Sequence, residues 1–121
     1  MNFVNFKINS PEQKRRIFIM AVKHITQDQF DEVTNQQGKK VLVDFFATWC
    51  GPCKMLAPML EELSEKLPEN CEIVKIDVDQ NPEAARKFRV MSIPTLILFE
   101  NGQPAERMVG VHSLDEISRL F

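Results

Sequence analysis

The stretch Trp49-Cys50-Gly51-Pro52-Cys53-Lys54 sets two thiols about one helical turn apart, where an apolar run stops and a helical pattern starts. Leading in, Val41-Leu42-Val43-Asp44-Phe45-Phe46 is apolar at both parities except for Asp44, the pattern of a central strand covered on both faces. Leading out, Leu56, Met59, Leu60, Leu63 and Leu67 share one helical face, with Glu61, Glu62, Glu65 and Lys66 opposite. The cysteines are therefore expected at a strand-to-helix turn. Pro58, inside the helical pattern, has no N–H to donate and should kink the helix.

The remaining segments supply neighbours for this unit. Val22 to Ile25 reads as a first strand, and Thr26-Gln27-Asp28-Gln29 as a capping box that opens a helix ended by Gly38. Cys71 to Val78 is rich in β-branched residues and follows the cysteine helix at a distance suited to a parallel crossover. Asn81-Pro82-Glu83 starts a short helix, Thr95 to Phe99 is a strand, and Asn101-Gly102 is a two-residue hairpin signal leading into Pro104 to Val109. Ser113-Leu114-Asp115-Glu116 is a second capping box before a closing helix. The order β-α-β-α-β-α-β-β-α gives an α/β protein with a mixed sheet and helices on both faces. Residues 1–19 differ in kind from the rest, being Asn-rich and Lys/Arg-rich, with a helix-start pattern at Ser10-Pro11. They are read as an N-terminal extension, either a short helix or a non-native segment, and residues 20–121 as the domain.

Composition removes several function classes. A chain of 121 residues can bury a core without staples. Its formal charge of -2 offers no basic surplus for phosphates, so nucleic acid is not an expected partner. Three cysteines are too few for a secreted disulfide framework and point to a reducing compartment, with the cytoplasm expected. No apolar run of about 18 residues occurs, so a membrane span is not expected.

Two thiols at this spacing serve either metal or redox chemistry. A metal clip needs two further ligands, and Cys71, His24 and His112 form no second half-site, so no metal is expected. For redox work the thiolate is the attacking species. Cys50, at the helix mouth, faces unsatisfied N–H groups and the positive end of the helix dipole, which makes it the nucleophile. Cys53, a turn further in, is the resolving thiol that attacks the mixed disulfide. Asp44 is a salt-bridged core residue, a strand-end carboxylate, or, since it sits mid-run in the most apolar strand, a buried carboxylate whose raised pKa lets it exchange a proton with Cys53. Cys71, at a strand start, is expected to be a buried small hydrophobe.

These stretches, with Ala57-Pro58, Asp77-Val78-Asp79 and Ile93-Pro94-Thr95, resemble the thioredoxin family from Val22 to Phe121. The resemblance implies the thioredoxin fold, a five-stranded mixed sheet of order 1-3-2-4-5 flanked by four helices. It implies a buried Asp at Asp44 with Lys75 as its modulator on the next strand, and a cis Ile93–Pro94 bond facing the cysteines. It also implies an apolar substrate rim of Trp49, Gly51, Pro52, Ile93, Pro94, Val109 and Gly110. Gly-Pro between the cysteines is similar to the family's reductants rather than its oxidants. The expected activity is reduction of protein disulfides by a monomer with no bound cofactor. A flavin-containing thioredoxin reductase would recharge it, drawing on NADPH. A binding or chaperone-like module and a thiol oxidant or isomerase are the alternatives. Phe46 and Ser92 stand where many relatives carry Trp and Gly, and neither is expected to touch the sulfur chemistry.

Overall fold

The computed structural model describes residues 22–121. The helix start at Ser10 and the extension through residue 19 lie outside the described residues. In chain order the elements are β1 (Lys23–His24), a 3-10 turn (Gln27–Gln29) running into α1 (Phe30–Thr34), β2 (Lys40–Phe46), α2 (Gly51–Ser64), β3 (Cys71–Asp77), α3 (Pro82–Lys87), β4 (Thr95–Glu100), β5 (Gln103–Val109) and α4 (Leu114–Ser118). The strands form one sheet in the order β1-β3-β2-β4-β5. β3 runs parallel to both β1 and β2, while β4 is antiparallel to β2 and β5.

β2 is central because both of its faces are apolar. Val41, Val43 and Phe45 point into one cluster with Phe30, Val74, Ile76, Ala84, Ile97 and Phe99, under α1 and α3. Leu42 points the other way, into a cluster with Leu56, Leu60, Leu63, Ile73, Leu96, Leu98 and Ile117, under α2 and α4. Because side chains alternate along a strand, Asp44 and Phe46 share the α2 face with Leu42. Each fully buried Leu or Phe contributes about 1.5–3 kcal/mol through removal of apolar surface from water. Truncating Leu60, 1% exposed, to alanine should therefore cost about 2–5 kcal/mol.

Local chemistry explains most element ends. The hairpin between β4 and β5 turns on Asn101 (φ 52°) and Gly102 (φ 84°), two consecutive left-handed residues that match the twist of the flanking strands. The Gln29 side chain accepts the Thr26 N–H at 3.0 Å, and Ser113 Oγ accepts the Glu116 N–H at 3.1 Å.

Four local expectations change. β1 is only two residues long. α1 ends at Thr34, where Asn35 leaves helical geometry, and Gly38 lies instead in the turn before β2, its N–H donated to Asn101 Oδ1 at 2.8 Å. Leu67 lies beyond the end of α2 but still packs against the α2-side core. Cys71 is half-buried rather than buried, and it pairs with Lys40 at the end of the sheet away from Cys50.

Candidate active site

β2 ends at Phe46, and four residues later Cys50 caps α2. Pro52 occupies the first turn, where its missing N–H would have had no intrahelical partner. Cys50 and Cys53 are joined as a disulfide with their Cα atoms 5.2 Å apart. The Cys53 N–H donates to Cys50 Sγ at 3.2 Å, and the Lys54 N–H to the Cys50 carbonyl at 3.2 Å. The Cys50 sulfur thus takes the place of a capping side-chain oxygen, receiving one of the orphan N–H groups of the helix. Both cysteines are only 4% exposed.

Two elements close over the pair. The Ile93–Pro94 bond is cis, and the Ile93 carbonyl oxygen lies 3.9 Å from Cys50 Sγ. The Gly110 N–H donates to the Pro94 carbonyl at 2.8 Å, which brings the end of β5 and half-exposed Val109 to the same rim. Gly51 and Pro52 are exposed on the first turn of α2. Trp49 is 68% exposed, and its indole N–H donates to Asp79 Oδ2 at 2.7 Å. Beside it an apolar groove of about 350 Å³ runs past Val78, Pro82, Ala85, Val90, Met91 and Ile93.

On β2, two residues before Phe46, Asp44 is 1% exposed and its Oδ1 has no hydrogen-bond partner. Burial pushes the carboxyl up to about 7, opposed by the positive charge of Lys75. Lys75 stands directly beside Asp44 in the β2–β3 register. Its ammonium, however, lies over the Phe46 ring, 4.5 Å from the centroid. A cavity of about 90 Å³ is lined by Phe46, Ala47, Cys53, Lys54 and Lys75.

The fold thus brings Ile93, with the cis Pro94 and Gly110 bonded to it, to the disulfide, and sets Lys75 with Cys53 on one small cavity. Two neighbours of the site were not singled out by the sequence. Phe46 shares a buried cluster with Cys50, Cys53 and Ala47. Asp79 holds the Trp49 ring, and the signal for it was the need of an indole N–H for an acceptor. Among the described residues, no group of three or more His, Cys, Asp or Glu is placed to hold a metal. No helix among them is long and apolar enough to cross a membrane.

Comparison with known proteins agrees with this arrangement. The family model described as Thioredoxin matches residues 21–121. Thioredoxin of Staphylococcus haemolyticus is 50% identical over 102 residues, covering 84% of this chain and 96% of the relative. Thioredoxin of Staphylococcus aureus is 46% identical over the same length and coverage. A solved mutant thioredoxin from Halobacterium salinarum superposes with a TM-score of 0.74 at 39% identity, covering 81% of this chain and 85% of that one.

Proposed function

The chain belongs to the thioredoxin family and is a thiol-disulfide oxidoreductase that reduces protein disulfides; from that premise we propose how its own residues divide the work. Cys50, as thiolate, attacks one sulfur of a substrate disulfide. A Cys50–substrate bond forms, and the first substrate thiolate leaves and takes up a proton. The Cys53 thiol passes its proton to the Asp44 carboxylate and attacks Cys50 Sγ. The Cys50–substrate bond breaks, the second substrate thiolate leaves, and the Cys50–Cys53 disulfide remains. Two electrons have moved from the cysteine pair to the substrate.

The observation that carries this reading is the Cys50–Cys53 disulfide at the first turn of α2. The N–H that reaches Cys50 Sγ in the disulfide is equally available to a Cys50 thiolate, which separates attacker from resolver. Asp44 supports the second step because a buried carboxyl near neutral pKa can both accept and release a proton. Lys75, its register neighbour, modulates that acid strength. Trp49, Gly51, Pro52, Ile93, Pro94, Val109 and Gly110 form the docking rim, and the groove beside Trp49 extends it.

Family membership implies disulfide-containing protein substrates and a thioredoxin reductase as partners. Our reading adds that the reductase carries flavin and draws on NADPH. It also places the chain in the cytoplasm as a monomer whose domain is residues 20–121. Neither a binding module with incidental cysteines nor a thiol oxidant is favoured by the family relationship. Insulin reduction driven by dithiothreitol tests the reading. Wild type should accelerate it and Cys50→Ser should not; equal activity of the two would reject disulfide exchange through Cys50.

A further inference from the structure

Phe46 ends β2 between the cysteines and the charged row behind them. On one side it packs with Cys50, Cys53 and Ala47. On the other, the Lys75 ammonium lies 4.5 Å from its centroid, and the His24 ring meets it edge to face at 5.4 Å. Across the sheet His24, Lys75, Asp44 and Leu96 lie side by side in register. Lys75 is thus the nearest cation that the sheet offers Asp44. Yet among the described residues no salt bridge joins the two, and Asp44 Oδ1 is unpartnered.

We propose that Phe46 is a positioning residue for the resolving step: its ring face holds the Lys75 ammonium beside Asp44 rather than on it, leaving that carboxyl unpaired as the proton acceptor for Cys53. An ammonium over an aromatic face is attracted by the ring quadrupole, more strongly where water is partly excluded. Lys75 is half-buried there, whereas pairing with a carboxyl that is 1% exposed would require further desolvation of the ammonium. An ammonium within ion-pair distance would favour the carboxylate and weaken it as a base. Leucine fills similar space without a quadrupole, so the role belongs to the aromatic ring and not to bulk alone.

The other charged groups on this face do not replace Lys75. His24, from β1, is pushed below the usual imidazole range by burial first and by Lys75 second, so it is mostly neutral at pH 7. Asp77, from β3, accepts the Asp79 N–H at 2.9 Å. From α2, Glu61 accepts the Val22 N–H at 3.4 Å, and Lys54 is exposed at the edge of the small cavity. β4, β5 and α4 contribute Leu96, Met108 and Ile117 to this side of the sheet.

The proposal rests on the reading of Asp44 as proton acceptor, but its test does not depend on turnover. The Asp44 carboxyl is titrated by carbon NMR in the oxidised protein, in a cycle of Phe46→Leu and Lys75→Met. With Lys75 present, Phe46→Leu should lower the Asp44 pKa by about one pH unit; with Lys75→Met it should not. An equal fall in both backgrounds, or none in either, overturns the proposal. Replacing the Phe46 ring by pentafluorophenyl keeps a flat six-membered ring, somewhat larger, and reverses the quadrupole. It should lower the Asp44 pKa as leucine does, and an unchanged value overturns the proposal even if the leucine variant does not fold. If the predicted shifts occur but Asp44→Asn resolves mixed disulfides at the wild-type rate, the positioning stands and the proton-transfer reading fails.

Discussion

The backbone N–H of Cys53 donates to Cys50 Sγ at 3.2 Å, so the sulfur of Cys50 caps the very helix that carries its partner. Geometry alone makes the two thiols unequal. In the reduced protein, a thiolate at Cys50 receives an N–H bond and the helix dipole, while one at Cys53 would be buried a turn deeper. Brief alkylation of the reduced protein with iodoacetamide should therefore label Cys50 at least about tenfold faster than Cys53, as read by peptide mass spectrometry. Equal labelling would contradict the assignment.

Asp44 links this site to stability. Its carboxyl is raised from 3.8 to about 7 by burial. Below about pH 4 the folded and unfolded chains both hold the proton. Between about 4 and 7 the unfolded chain releases it while the folded chain keeps it, so stability falls as pH rises; above about 7 the slope flattens. The loss across that window is on the order of 4 kcal/mol at most. Asp44→Asn should therefore be more stable than wild type at pH 8, with the difference closing toward pH 4 in urea titrations. The same variant should resolve a mixed disulfide on the order of 100-fold more slowly at pH 7. A wild-type rate across neutral pH would remove Asp44 from the mechanism.

Much of this was legible in the residues, and the rest was hidden for a physical reason. β2 and β4 read clearly because apolar side chains at both parities have few uses outside a covered sheet, and Asn101-Gly102 named its hairpin through backbone conformation. The cysteine turn and the odd carboxylate at Asp44 also stood out locally. The burial of Cys50, the Lys75–Phe46 contact and the Trp49–Asp79 hydrogen bond did not. Each depends on where a distant segment packs: the Ile93 loop over Cys50, β3 beside β2, and the turn after β3 beneath Trp49. The apolar run Val22 to Ile25 overstates β1, because only two of its residues find a ladder partner on β3.

The exposed Trp49 ring, held by Asp79 at 2.7 Å, should act on docking and not on sulfur chemistry. Trp49→Ala is expected to lower kcat/KM for a protein disulfide about tenfold, equivalent to about 1.4 kcal/mol. Its redox equilibrium with dithiothreitol should stay unchanged. Asp79→Ala should move kcat/KM in the same direction by a smaller factor. A shifted equilibrium in either variant would contradict a docking role.

Two glycines should respond oppositely to alanine. Gly51 has no positive φ, and a methyl group there meets nothing within 4 Å, so Gly51→Ala should leave stability unchanged or raise it by about 0.5 kcal/mol. Gly102 has φ +84° and its methyl would run into the Asn35 side chain. Gly102→Ala should cost about 1–2 kcal/mol or more. Denaturant midpoints of the two oxidised variants measure both effects.

The central claim is that Cys50 attacks and Cys53 resolves, and it is tested most directly by removing the resolver. Cys53→Ser, reduced and mixed with a protein disulfide substrate, is predicted to accumulate a covalent complex through Cys50, seen by intact-mass and peptide mass spectrometry and released by dithiothreitol. Failure of Cys53→Ser to form that complex, together with a stable complex through Cys53 in the Cys50→Ser protein, would contradict it.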